Sequence, residues 1–197
     1  MNRPADDGPN NNDRKQSIRM NAATHNDSLL AVEFKEAISR ELEDAIRKIR
    51  HCAEQLSDDQ LWSRPAESMN SIANLILHLC GNVKQWVIAG VGGSPDQRNR
   101  PQEFALRDRI PLDHLLDMLD QLATEVRQSL QNVTGDELMR RRTIQGYDVS
   151  GVQALVDSIA HFRGHAQEIT HMTRMQLGES YQFDFIPGAN QQGGAAT

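Results

Sequence analysis

Long apolar runs, a disulfide framework and an excess of positive charge are all missing from this chain of 197 residues. No stretch approaches the ~20 apolar residues that span a bilayer, and the start lacks the continuous apolar core of a secretory signal. The chain therefore reads as cytoplasmic, with no membrane partner. Only two cysteines occur, Cys52 and Cys80; they form no CxxC spacing, which excludes a disulfide framework and leaves two buried free thiols. The formal charge is −6, and the Arg140-Arg141-Arg142 run is an isolated cluster read as solvated, so a nucleic-acid-binding surface is excluded. Aromatic residues make up only 5% of the chain, whereas Leu, Ile, Ala, Glu, Gln and Arg are plentiful. That is helical composition.

What is present is a histidine pair one helical turn apart, His161 and His165 in HFRGH, and a third histidine, His78, inside an apolar segment. Residues four apart on a helix are neighbours on one face, so two imidazoles can converge on one ion. A tetrahedral divalent metal held by three imidazoles keeps one open position, the pattern of a reactive centre. Phe162 stands where a metalloprotease HExxH motif has its glutamate, so a zinc-peptidase reading is not supported. A single buried histidine is more often a hydrogen-bonded core residue than a ligand; the joint arrangement reverses that preference. His25, His51 and His114 read as surface residues, and His171, six residues after His165, lies on a different face.

Four long periodic segments surround these residues. Phe34, Ile38, Leu42, Ala45, Ile49, Cys52 and Leu56 form a first helical seam, followed by a Ser57 to Gln60 capping box. The second helix is expected from about residue 70 to 89, with Ile72, Leu75, Leu79, Asn82, Trp86 and Ala89 on one stripe. Gly90, Gly92, Gly93 and Pro95 stop it. The third starts at Pro111, before a further capping box from Thr134 to Glu137, and the fourth runs from the N-cap Ser150 to Gly178. Its seam is Leu155, Ser158, Phe162, His165, Ile169 and Met172.

Short links join helices one to two and three to four, while the link between helices two and three is long enough to span a bundle lengthwise. The expected fold is all-α, a four-helix bundle running up-down-down-up with a long crossover between helices 2 and 3. Residues 1–27 are polar and Asn-rich and are set outside the fold as a disordered arm, with Met20 an alternative start to Met1. Residues 28–187 form the bundle domain, and 188–197 a small, polar tail.

The second-helix string LHLCGN and the fourth-helix opening VSGVQALVDSIAHFRGHAQEI resemble the DinB/YfiT-like bundle superfamily over residues 29–187. The resemblance implies a divalent metal, often nickel or zinc, bound by His78, His161 and His165. It also implies, from several members, thiol S-transferase or isomerase activity with glutathione, mycothiol or bacillithiol. Where the family frequently has His-x-Gly-Gln-Ile, this chain has His165-Ala166-Gln167-Glu168-Ile169.

Asp157, one turn before His161, is placed to orient that ring, as carboxylates commonly do, and Asn82 and Trp86 are placed to line a pocket beside His78. Metal coordination lowers a ligand's pKa, so the leading expectation is a thiol held as thiolate for attack on a small electrophile. The alternatives are a metal-hydroxide hydrolase and a non-catalytic metal- or small-ligand-binding bundle. A small-molecule substrate is the expected partner, and a homodimer the assembly considered. Because the N-terminal arm has little apolar surface to offset ordering entropy, deleting residues 1–24 should barely change the melting temperature. A loss of several degrees would show that the arm packs on the bundle.

Overall fold

The computed structural model describes residues 11–184, with side chains from residue 28 onward. It is mostly helical: α1 (Asn11–Ala53), α2 (Asp58–Trp62), α3 (Ile72–Val83), α4 (Arg100–Ala105), α5 (Leu112–Gln131), α6 (Gly135–Met139) and α7 (Gly151–Leu177). A π-helical stretch, Lys84–Val91, continues α3, and a small hairpin of β1 (Arg141–Ile144) and β2 (Tyr147–Ser150) precedes α7. Among the described residues no helix is long and apolar enough to cross a membrane.

α1 begins at Asn11, inside the segment that the sequence reading set outside the fold. Residues 11–27 contain neither proline nor glycine, and extending an existing helix adds a hydrogen bond per residue fixed without a new nucleus. The outer arm, 1–10, and the tail from Gly188 lie outside the described residues.

The long helices bury the stripes that the sequence spacing marks out. Leu42, Ile49, Leu75, Leu79, Leu115, Leu119, Leu122, Leu155 and Phe162 are almost wholly inaccessible, each contributing roughly 1.5–3 kcal/mol of transfer free energy. Caps end the helices as expected: Ser57 and Gln60 form a reciprocal capping box, Ser150 caps α7, and Gly178 has positive φ; α3 is capped by Ser71. On α7 the core phase passes through Phe162, Ala166 and Ile169. His165 is thus not a seam residue, as the sequence spacing suggested; it flanks the seam, half-exposed.

Polar contacts register the helices. Lys35 donates to the Val133 carbonyl at 2.6 Å, Arg127 to Glu43 at 2.5 Å, and Arg50 to Asp120 at 2.6 Å, all between α1 and α5 or its C-terminal end. Arg163 meets Glu41, and Cys52 lies 3.6 Å from the Thr170 hydroxyl. Ser158 donates to Asn82 at 3.0 Å, and Lys84 lies 3.5 Å from Glu125. Residues 181–184 fold back over α1, where the His51 ring donates to the Gln182 carbonyl at 2.7 Å. His51 is consequently half-buried rather than a free surface residue.

Two features depart from the sequence reading near the end of α3. The Gly92 amide bonds the Val87 carbonyl at 2.9 Å, a five-residue span that widens the helix. The wider turn advances the buried phase, so Val91 packs in the core and Ala89 is only half-buried. Against this stretch lies the hairpin, which an all-helical reading did not anticipate. Thr143, Ile144, Tyr147 and Val149 favour strand, and Gln145 and Gly146, with φ of 52° and 84°, form the two-residue turn whose twist suits a hairpin.

Arg142 is the correction to a solvated arginine run. Its side chain is 11% exposed, and it donates to the Gly90 and Val91 carbonyls at 2.8 and 3.1 Å and to the Glu137 carbonyl. These carbonyls end the π-helical stretch and α6, so one guanidinium ties hairpin, crossover start and short helix together. Arg142→Met should destabilise the protein by about 1–3 kcal/mol through unpaired carbonyls, measured by denaturant unfolding. Arg141→Met, whose side chain is exposed, should fall within about 0.5 kcal/mol of the parent.

Candidate metal centre

The three histidines come together where α3 faces α7. His78 is buried, at 5% exposure, whereas His161 and His165 are half-exposed, so the cluster sits at the edge of the core with one side open. One ligand nitrogen from each ring lies within 4.8 Å of the other two. The Nε2 atoms of His78 and His161 are 2.9 Å apart, and the three rings stand nearly perpendicular to one another at centroid distances of 4.5–5.4 Å. Rings so arranged aim lone pairs at a shared point instead of stacking faces. The donor set, three neutral imidazoles, suits zinc or nickel.

Two carboxylates set the orientation of two of these rings. His78 Nδ1 faces a Glu103 oxygen at 3.0 Å, with Arg98 Nη2 3.1 Å from the same nitrogen, and His165 Nδ1 donates to Glu168 at 2.6 Å. With the proton held at Nδ1, the Nε2 lone pair of His165 is left for a cation. Glu103 arrives from α4, in the crossover, and is itself clamped by Arg98 through bonds of 2.7 and 2.8 Å, the Arg98 side chain being only 2% exposed. Gly81 makes the passage possible. A Cβ there would lie 2.0 Å from a Glu103 carboxylate oxygen and 3.1 Å from Arg98 Nε, which explains a glycine in the interior of a core helix despite its cost of ~1 kcal/mol relative to alanine.

The sequence spacing leaves Asp157 open to orienting the His161 ring, to lining the pocket or to plain solvation. Asp157 is exposed and makes no bond to His161; it lines, with His78, Asn82, Trp86, Ser158 and His161, a cavity of about 270 Å³ beside the cluster. Asn82 and Trp86 are thus placed on that cavity wall. Glu103, Arg98 and Arg100 escaped notice because they lie in the long link, where no periodicity relates them to the histidines. The one available signal was the length of that link, since long ordered connections are often functional.

Burial tunes the site toward cations. Desolvation, followed by the neighbouring His165 and His78, pulls the His161 imidazole down from 6.5 to about 4. Desolvation also lowers His78, against the opposing pull of Glu103. Both rings are neutral at pH 7 and competent as ligands. Burial pushes the Cys80 thiol up to about 12, which removes it as an internal nucleophile.

An unfolded histidine takes up its proton near 6.5, whereas folded His161 resists until about 4. The metal-free fold therefore loses stability as pH falls through that window. Thermal melts of metal-free protein should show a midpoint that declines from pH 6.5 to 4, with a shallower decline for His161→Gln. Parallel declines would mean that His161 is protonated alike in both states.

The family comparison covers most of the chain: the profile of a protein family of unknown function, DUF1572, matches residues 30–190. No curated protein matches. Among solved structures, a conserved protein from Enterococcus faecalis superposes with a TM-score of 0.60 at 16% identity, covering 73% of this chain and 97% of the other. A DinB-like protein from Bacillus subtilis gives 0.56 at 18% identity over 75% and 96% of the two chains. Another from Bacillus cereus gives 0.58 at 15% over 72% and 91%. The chain belongs to the DUF1572 family, and its fold is that of the DinB-like proteins.

Proposed function

We propose that the protein binds a divalent metal, nickel or zinc, through His78, His161 and His165, and uses it in thiol-dependent transfer or isomerisation of a small electrophile. The observation that carries this reading is the cluster itself, three ligand nitrogens within 4.8 Å of one another. Two of its rings are also held by carboxylates at Nδ1. When bound, the metal would supply a cationic centre that holds a small thiol in its ionised form at neutral pH. Glu168 holds the His165 Nδ1 proton and keeps that ligand in one tautomer, and Glu103 orients the His78 ring. Asn82, Trp86 and Ser158 wall the adjoining cavity, within which substrate would be positioned. With Cys80 buried, protonated and two residues along α3 from His78, the thiol comes from outside the chain.

The scaffold in this proposal is an up-down-down-up bundle. Contacts of α1 with α5 advance in opposite directions along the two helices (Lys35 with Val133, Arg50 with Asp120). Contacts of α1 with α7 advance together (Glu41 with Arg163, Cys52 with Thr170). Those of α3 and its continuation with α5 also advance together (Lys84 with Glu125, Gly92 against Ser129). The parallel second and third long helices require the crossover that carries Arg98 and Glu103.

Protein purified without a histidine tag should hold close to one equivalent of nickel or zinc by elemental analysis. Each of His78→Ala, His161→Ala and His165→Ala should lose it while keeping its helical circular dichroism. Full occupancy in all three variants would overturn the ligand assignment. A small thiol added to the nickel- or cobalt-loaded protein should produce a thiolate-to-metal charge-transfer band that rises with pH. His165→Ala should eliminate the band and Cys80→Ser should leave it unchanged. A spectrum indifferent to thiol would replace this mechanism by hydroxide chemistry or by metal binding alone.

A further inference from the structure

The cavity beside the histidine cluster is rimmed by two exposed formal charges of opposite sign that no described residue neutralises. Arg100, at the start of α4, lines it from the crossover side, and Asp157 lines it from α7. Neither forms an ion pair or side-chain hydrogen bond among the described residues, although Arg98, two residues away, is clamped by Glu103.

Both are tied to the metal cluster. The Arg100 guanidinium sits 5.0 Å from the centroid of Phe104, one turn later on α4, and the Phe104 ring lies 4.8 Å from that of His78. Asp157 precedes His161 by one turn on α7.

Neutral donors without acceptors complete the wall. Asn82, 9% exposed, accepts from Ser158 through Oδ1, and its amide NH2 forms no bond among the described residues. The Trp86 indole N–H is buried and unpartnered. A buried donor such as the Trp86 N–H is normally satisfied. The volume, about 270 Å³, lies just under the ~300–1,000 Å³ of pockets for drug-sized ligands.

We propose that this cavity selects a small zwitterion of the α-amino-acid class. Arg100, with the Asn82 amide, receives its carboxylate, and Asp157 receives its ammonium. A monoanion would leave Asp157 facing it, and a monocation would leave Arg100 facing it. Only a ligand with both charges meets both groups. The inference deepens the proposed function, on which it rests for the presence of a thiol-accepting centre next to the cavity: the thiol or its acceptor would carry an amino-acid moiety.

The test uses nickel-loaded full-length protein and four thiols of different charge: cysteine, N-acetylcysteine, cysteamine and 2-mercaptoethanol. Each partly solvated charge contact contributes about threefold in affinity, so cysteine should bind about tenfold more tightly than 2-mercaptoethanol, read from the charge-transfer band. Arg100→Gln should reduce cysteine to the level of cysteamine, and Asp157→Asn should reduce it to that of N-acetylcysteine. Binding of 2-mercaptoethanol should be the same in all three proteins. An advantage of cysteine that survives both substitutions would come from amine chelation at the metal and would overturn the proposal.

A second measurement needs no thiol. In a Trp62→Phe background the remaining tryptophan is Trp86, whose fluorescence should respond to serine at lower concentration than to ethanolamine or N-acetylserine. Equal responses, or none, overturn the zwitterion site. A serine preference in a protein that binds no thiol retains the site and refutes the thiol mechanism alone.

Discussion

The ion pair between Arg98 and Glu103 is the contact on which the site's geometry depends. It lies buried over Gly81 and holds the crossover against α3. Through the second Glu103 oxygen it also fixes the His78 ring. Such a pair adds little net stability, since desolvating two charges offsets most of their attraction, but removing one partner strands the other and costs ~3–5 kcal/mol. Its value here is positional. The bidentate fork holds the carboxylate in one orientation against the His78 ring.

Around this contact the chain uses irregular structure to make room. A regular continuation of α3 would have kept the helical phase; the π-helical stretch shifts it beyond Trp86, which stays on the cavity wall, and buries Val91. The hairpin packs Ile144 against Gly90 and brings Gln145 to the same cavity. Arg142 then satisfies the carbonyls that the irregular end of the helix leaves open. Widened helical turns recur at functional sites because they re-aim side chains without breaking the helix.

The electrostatics follow from the same placement. Two of the three rings at the edge of the apolar core, His78 and His161, are desolvated enough to stay neutral, while His161 and His165 are half-exposed. Glu103 and Glu168 lie against Nδ1 of His78 and His165 and orient those rings.

The local features were legible in the sequence because they depend on short-range periodicity and capping chemistry. The apolar stripes around Leu42, Leu79, Leu119 and Phe162, the caps at Ser57 and Ser150, and the glycine end at Gly178 all follow from neighbours within a turn or two. The His161 and His165 pairing is of the same kind. What only the tertiary structure decided involves residues whose separation in sequence has no period. The Glu103 contact with His78, the passage of Arg98 over Gly81, the capping of the Gly90 carbonyl by Arg142 and the approach of Arg100 to the cavity all depend on how a long link crosses the bundle. Even Asp157, one turn from a ligand, was settled that way: its spacing allowed it to face His161, and packing turned it to the cavity rim instead. Helical spacing says which residues can share a face, while the partner that a polar side chain meets is determined by the energy of the whole packed arrangement.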